Sequence, residues 1–501
     1  MLSAMARYII GIDQSTQGTK ALLLDERGTL IRRVDRPHRQ IVSDSGWISH
    51  DPREIARNVI RSSRDVVLAE GIPLGEVAGI GISNQRETTV AWDARTGEPL
   101  CDAVVWQCAR ASEICARIKA KEGASEMVRA RSGLPLSPYY PASKMAWILE
   151  NVSSASEAAR SGSLRMGTVD SWIIWVLTHG TAFLCDHSNA SRTQLFDIAA
   201  LGWSQELCSL FGIDESCLPA VTDSDACFGY TDLEGFLPTP IPIHAALGDS
   251  HAALFGQGCL KRGMAKATYG TGASVMLNVG ARPIASAHGL STSIGWRMGA
   301  TETYVIEGNI NYAGAVNTWL RDDLGLIDAP SEVEALCRSA SRASRVYLVP
   351  AFSGLGAPHW CDRAQAAILG MERSTHRAEL VCAANESIAY QIADVVDAMR
   401  EDAGIVLSEL RVDGGPTANG YLMQFQSDVL ATPLRVAKND EMSGMGAAWC
   451  AGVSLDIYGR DVAVDSAPRA RFEPKMRPDE RQSRIAGWRR ALATTIGYAR
   501  D

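Results

Sequence analysis

Two stretches of this chain share one plan, and that plan restricts the fold more than any other feature. Residues 8–13 (YIIGID) form a short apolar, β-prone run, followed by a small polar turn and then TKALLLDERG. In the second half, MAKATYGTGASVMLNVG (264–280) is again strand, a turn rich in Gly and Thr, and strand. Apolar runs of this length, bounded by Gly, Ser and Thr, read as strands joined by hairpins. A chain that opens each half with the same hairpin is expected to build two related halves with a cleft where they meet.

The remaining segments fit that plan. Pro52–Glu70 has Ile55, Val59, Ile60, Val66 and Val67 at helical spacing, and VAGIGIS (77–83) follows as a buried strand. LSELRVDGG (407–415) is a strand ending in Asp-Gly-Gly, with ANGYLMQFQSDVL as the helix after it. Strands alternating with helices predict an α/β fold. The 501 residues exceed what one ordinary core accommodates. The halves are expected to meet near residues 255–259, giving domains 1–256 and 257–501. No short solenoid-type repeat is present.

Composition excludes several classes of function. Net charge is −8 with no long basic or acidic run, which argues against nucleic acid or an anionic membrane as the main partner. The twelve cysteines are scattered without a CxxC pair, so neither a zinc site nor a redox motif is expected. The apolar run at the N-terminus is too short for a signal peptide, and WIIWVL (172–177) is far below the roughly 20 residues that span a bilayer. A cytoplasmic protein acting on a small molecule is expected.

No Walker A motif occurs, and no GxGxxG turn follows a strand, so a P-loop or dinucleotide site is unsupported. The two hairpin loops are the alternative phosphate sites. Consecutive backbone N–H groups with Ser and Thr hydroxyls can cradle an anion. Asp13 can hold Mg²⁺ through waters, and Lys20 can offset phosphate charge. Each loop alone is also compatible with a plain turn. Both loops followed by the VDGG strand end point to an actin-like nucleotide clamp.

Polar residues that can meet a substrate cluster elsewhere. NQRETT carries Arg86 and Glu87 directly after the 77–83 strand, where they read either as ligand-binding groups or as a surface ion pair. Trp106 can wall a carbon backbone or simply pack in the core. Tyr139 can offer a hydroxyl, with the adjacent Tyr140 leaving the register open by one. LGDSHAALFGQG (247–258) sets Asp249, Ser250 and His251 side by side. A hydrolytic triad is disfavoured, because triads assemble from distant segments and no GxSxG elbow accompanies Ser250. Asp249 is expected to cap the helix that follows, and His251 to pack or bond locally.

Taken together these segments resemble the FGGY carbohydrate kinases, most closely the glycerol kinases among them. GWISHDP, GISNQRETTVAWDARTGEPL, AVVWQCAR, GTVDSWIIW, NASRTQLFDI, AALFGQG, MAKATYGTG, VPAFSGLGAPHW, ESIAYQ and RVDGGPTANGYLMQFQSDVL occur in the order of that family. YYPASKMAWILEN (139–151) and AAILGMERSTHRAELVCAANE (366–386) match its two diagnostic stretches, with Asn385 where an apolar residue is usual. The resemblance implies two ribonuclease-H-like, actin-type domains about a catalytic cleft, with ATP largely on the C-terminal one and a polyol or sugar on the N-terminal one. It implies that Thr16, Gln17 and Lys20 meet the terminal phosphates, with Asp13 near Mg²⁺. Thr271 and Gly314 would contact nucleotide phosphates, and Gly415 and Asn419 would line the adenosine pocket. Arg86, Glu87, Trp106 and Tyr139 would bind the acceptor, and Asp249 would take the proton of its hydroxyl. Dimers and tetramers are common in the family, so a homodimer or homotetramer falls within expectation.

The departures from the pattern are local. Gln17 replaces a hydroxyl residue, and Lys20 replaces arginine, keeping the charge without the bidentate fork. Ser250 stands where glycerol kinases usually place glutamine, and Ser274 where they commonly carry phenylalanine. Both changes go from large to small and predict an acceptor somewhat larger than glycerol, such as a tetritol or small ketose. LEGFLPTPIPIH lacks the loop through which a sugar bisphosphate inhibits some relatives, so regulation of that kind is not expected. A pentulose kinase of the xylulokinase type is the nearest alternative, and NQRETT argues against it. A non-catalytic actin-fold sugar sensor and a chaperone-like ATPase are alternatives of another class. Retention of Asp13, Asp249 and both loops speaks against them.

Overall fold

The computed structural model describes residues 7–463 and 467–499. Residues 1–6, which begin the segment read above as too short for a signal peptide, lie outside them. Two mixed sheets organise the chain. In the first, β1 (Tyr8–Gln14), β2 (Gly18–Leu24) and β3 (Leu30–Pro37) form an antiparallel meander. β4 (Val77–Asn84) joins β1 in parallel; β5 (Cys227–Thr231) is the far edge, antiparallel to β6 (Ile241–Gly248), which lies parallel to β4.

The second sheet contains β7 (Ala265–Tyr269), β8 (Ala273–Gly280), β9 (Ser291–Met298), β10 (Thr301–Ile310), β11 (Leu410–Asp413), β12 (Leu434–Val436) and β13 (Ala470–Phe472). Their spatial order is β9–β10–β8–β7–β11–β12–β13. Without edge strands, the two orders are β3–β2–β1–β4–β6 and β10–β8–β7–β11–β12. Both run antiparallel, antiparallel, parallel, parallel. The ribonuclease-H-like layout is therefore present twice, as the hairpins required.

Local chemistry sets the helices that cover these sheets. α1 (Pro52–Glu70) starts at Asp51, whose carboxylate accepts the Arg53 N–H, has Pro at its first position, and stops at Gly71 with φ 69°. It buries Ile55, Val59, Val66 and Val67 against β1 and β2, each worth about 1.5–3 kcal/mol. α2 (Asp249–Gly256) follows β6, α3 (Arg377–Ala403) precedes β11, α4 (Gly420–Leu430) follows β11, and α5 (Met442–Ser454) follows β12.

α2 and α5 lie between the two sheets and cross sides. α5 belongs to the second half by sequence, yet it packs on β1, β4 and β6 of the first sheet and along α2. α2 in turn touches β7. Glycine permits the approach: a Cβ on Gly81 would sit 2.1 Å from the Ala447 carbonyl oxygen, and one on Gly446 1.9 Å from that of Ala252. The apolar cluster between the sheets joins Ile9 and Leu22 of the first sheet to Met276 and Val305 of the second, through Met445 and Ala448. The cleft opens above this layer.

Candidate active site

The chain leaves β4 through a strained turn. The Thr88 N–H donates to the Arg86 carbonyl at 2.7 Å, with Glu87 between them at φ 61°. A three-residue turn with a positive central φ is rare and strained for a side-chain-bearing residue, and such strain concentrates at functional sites. Glu87 is buried, and its Oε1 accepts from Arg192 Nε at 2.6 Å. Burial pushes its carboxyl above the usual range, while Arg192 and Arg86 pull the other way. The Arg86–Glu87 pair is thus no surface ion pair. Each residue instead has its own buried partners.

Arg86 spends nearly all its donors within the protein. Nε donates to Asp249 Oδ1 at 3.0 Å, Nη1 to Glu307 Oε2 at 2.9 Å, and Nη2 to Glu307 Oε1 at 2.7 Å and Ser250 Oγ at 3.1 Å. Arg192 approaches the same Glu307 Oε2 at 2.9 Å.

Asp249 comes to this cluster from the end of β6. The β4–β6 register shifts between Ile243 and Ala246, and Ala245 has φ 143°, a bulge that turns the strand end toward Arg86. The expected N-cap role does not hold: Gly248 takes the cap position and Asp249 is the first residue of α2. Its Oδ1 is drawn to the Ser250 N–H at 2.6 Å and to Arg86, so the carboxylate faces the cleft instead of reaching the N–H groups further along the turn. The side chain of Asp249 is 34% exposed, against 5% for Arg86. His251 is fully buried beside Ser293, and burial together with Arg86 keeps its imidazole neutral, far below its usual range.

The aromatics expected at the acceptor form a group of their own. Trp106 and Tyr139 meet edge to face at 5.4 Å, while Tyr140 is buried with its hydroxyl 3.0 Å from Ser291 Oγ. Tyr139, the half-buried of the two tyrosines, is the one that meets Trp106. Trp106 Nε1 donates to Thr16 Oγ1 at 2.9 Å, so the first hairpin loop closes over the same wall. Gln17 is exposed at the tip.

Asp13 and Lys20 face each other across that hairpin, but Lys20 is committed elsewhere. Its Nζ is 2.8 Å from Glu441 Oε2 and 3.9 Å from Asp13. Arg33 also pairs with Glu441. Asp13 accepts from Ser83 Oγ at 3.1 Å. Burial, with Glu441 and Asp249 nearby, raises its carboxyl to about 6 against the pull of Lys20 and Ser83. Among the described residues no cluster of three or more side chains is arranged to hold a metal. One buried carboxylate with Glu441 and Asp249 nearby suits Mg²⁺, which keeps most of its waters and takes phosphate oxygens as ligands.

Across the cleft, Thr271, Gly314, Gly415 and Asn419 line one cavity of about 680 Å³, together with Glu334 and Asn385. The Gly314 N–H donates to the Gly270 carbonyl at 2.9 Å, drawing the two loops together. Asn419 caps α4 by accepting the Leu422 N–H. Ser274 lies apart from these four. Its Oγ donates to Glu307 Oε1 at 2.9 Å and lies 3.4 Å from Lys266 Nζ, so it joins Ser250 at the Arg86 cluster. A separate cavity of about 710 Å³, lined by Glu386, Tyr421 and Arg484, lies away from Asp249.

Arg192, Lys266, Glu307 and Glu441, which join these contacts, did not stand out in the sequence. A signal existed for two of them: Lys266 and Glu307 are charges inside apolar strands, AKATY and TYVIEGNI, and buried charges need partners.

Two ribonuclease-H-like halves about a charged cleft define an actin-like ATPase fold. Within that class the chain belongs to the FGGY family of carbohydrate kinases, whose N-terminal domain model matches residues 8–256 and whose C-terminal domain model matches residues 265–455. It is accordingly an ATP-dependent carbohydrate or polyol kinase. Glycerol kinase 1 of Thermotoga maritima is 44% identical over 487 residues, covering 97% of this chain and 99% of that protein. A glycerol kinase of Symbiobacterium thermophilum is 44% identical over 99% of both. The crystal structure of Plasmodium falciparum glycerol kinase with ADP superposes with a TM-score of 0.91 at 34% identity, over 98% of each chain. Among the described residues no helix is long and apolar enough to cross a membrane.

Proposed function

We propose that this kinase transfers the γ-phosphate of ATP to a terminal hydroxyl of glycerol or a somewhat larger polyol or ketose, with Asp249 as general base. The observation that carries the reading is Asp249 itself. It is the partly exposed carboxylate of an otherwise buried cluster, oriented by Arg86, with Glu87, Trp106 and Tyr139 on the same side. The names of the 44% identical relatives support glycerol or a close analogue as acceptor.

In this reading Glu87 and Tyr139 bind acceptor hydroxyls, Arg86 steers the reacting end, and Trp106 covers the carbons. Thr271, Gly314, Gly415 and Asn419 hold the nucleotide, while Thr16, Gln17 and Lys20 meet its terminal phosphates. As the acceptor oxygen bonds to the γ-phosphorus, the bond to the bridging oxygen breaks, ADP departs, and the hydroxyl proton rests on Asp249. Asp13 would hold Mg²⁺, which when bound would supply charge neutralisation for the phosphates. Asp13 and Lys20 keep that end of the cleft polar, and the Trp106–Thr16 contact limits water at the acceptor.

Ser250 and Ser274 favour the larger acceptor. Each is short, and each spends its hydroxyl on the Arg86–Glu307 pair, so neither fills the volume above that pair. Cytoplasmic action accords with the described cysteines, all free thiols.

ADP release measured with glycerol, erythritol, threitol and pentuloses tests the reading, with Asp249→Asn as control. A tetritol or ketose equal to or better than glycerol in kcat/KM is expected. Glycerol ahead by orders of magnitude would remove the larger-acceptor reading, and a pentulose far ahead would make the protein a pentulose kinase. Asp249→Asn is expected to lower kcat about 10³-fold with ADP affinity unchanged. Near-normal turnover would overturn the assignment of the base.

A further inference from the structure

Glu307 is the residue on which the two halves converge. It sits on β10 of the second sheet and is almost fully buried. Four groups approach its two oxygens: Arg86 Nη1 at 2.9 Å, Arg86 Nη2 at 2.7 Å, Arg192 Nη1 at 2.9 Å and Ser274 Oγ at 2.9 Å. Both arginines come from the first half; only Ser274 is its neighbour in the second sheet. Burial alone would raise the Glu307 carboxyl, but Arg86 and Arg192 outweigh it and hold the group ionised, well below the usual carboxylate range.

The geometry has a direct consequence for Asp249. A guanidinium is rigid and planar, and a carboxylate that takes both of its Nη groups fixes the whole plane. With that plane fixed, Nε of Arg86 has one direction left, and there it meets Asp249 Oδ1 at 3.0 Å. The orientation of a carboxylate in the first half therefore depends on a carboxylate carried by the second.

We propose that Glu307 is a positioning residue for phosphoryl transfer: it grips Arg86 across the cleft and so aims Asp249 at the acceptor only while the halves are together. This rests on the reading of Asp249 as the base. A transfer-competent carboxylate is thereby tied to the closed arrangement, and opening the cleft releases Arg86 and lets Asp249 turn away.

Glu307→Gln removes the charge and one acceptor while keeping the volume. Glu307→Asp keeps the charge and withdraws it by one methylene. Steady-state kinetics, ADP titration and thermal unfolding are measured on both beside Asp249→Asn. The expected result is a fall in kcat of at least 30-fold in Glu307→Gln and at least fivefold in Glu307→Asp, with acceptor KM and ADP affinity within threefold of the unmodified enzyme. A purely structural role would instead lower the unfolding temperature and leave kcat intact in whatever remains folded. Folded Glu307→Gln with a smaller loss would overturn the proposal, as would a loss of ADP affinity that matches the loss of kcat. If Glu307→Gln does not fold, Glu307→Asp decides by its own threshold. Should Asp249→Asn itself keep turnover, the assignment of the base fails first, whichever way the Glu307 variants behave.

Discussion

The two hairpins occupy the same place in equivalent sheets and carry the same pair of groups with the roles exchanged. In the first half, Asp13 on β1 pairs in register with Ser83 on β4, and the serine hydroxyl donates to the carboxylate. In the second, Thr268 on β7 pairs with Asp413 on β11, and the threonine hydroxyl donates to the carboxylate at 2.7 Å. The cation differs more. Lys266 is wholly buried, lies on the same strand as Thr268 and donates to it at 3.0 Å, so a cation of the second half reaches Asp413 through the threonine. Lys20 is partly exposed and bonded to Glu441, and burial outweighs its pull on Asp13, whose carboxyl stays raised. One carboxylate is linked to a buried cation of its own half; the other faces a lysine that it shares with Glu441.

The comparison can be broken by neutralising each carboxylate in turn. Asp413→Asn carries the largest expected effect on stability, a loss of about 3 kcal/mol, because it strands the buried Lys266 ammonium, whose pKa burial already holds below its usual value. Urea unfolding measures it, and a loss under about 1 kcal/mol would end the claim that Asp413 supports that cation.

Asp13→Asn should act with the opposite sign when nucleotide and Mg²⁺ are absent. The carboxyl titrates at about 6 in the folded protein against an ordinary 3.8, so between those values the folded state binds the proton more tightly than the unfolded chain. Stability from this group is full below about pH 4 and is lost as the pH rises through about 6. The asparagine variant should thus be more stable than the unmodified protein at pH 8, by up to roughly 3 kcal/mol, and should lose that part of the pH dependence. Its turnover should collapse, along with the thermal shift that Mg²⁺ and ADP give. Destabilisation at pH 8 would mean that the two carboxylates play one role.

Ser83→Ala is the mildest test. Losing one donor to a buried carboxylate costs about 1 kcal/mol at pH 8 and moves the Asp13 titration further up. Stability profiles against pH show the move directly, and an unchanged profile would assign the Asp13 shift wholly to burial and its carboxylate neighbours.

What could be read from the sequence follows from how far each signal reaches along the chain. The hairpins, the Pro52–Glu70 helix and the placement of Asp249 after a strand are local patterns, and all stand in the structure. Glu307 and Arg192 were hidden because their chemistry is settled by partners far away, with 221 residues between Arg86 and Glu307 and 105 between Glu87 and Arg192. The same distance explains Asp249. An aspartate before a helix is a sound cap by local rules, but here Arg86, brought in by β4, claims its carboxylate. Glu441, distant in sequence from Lys20, likewise left no local sign that it would pair with it.

The crossed helices bear on how far the chain is modular. Cutting it where the two families of segments divide, after residue 256, would take α5 from the sheet it covers and take from α2 the strand it rests on. The first piece would expose the glycine-floored groove of β1 and β4, and the second would carry a helix with no floor. The two halves look like a duplicated unit, yet each borrows a layer from the other. Their shared packing holds them as one body.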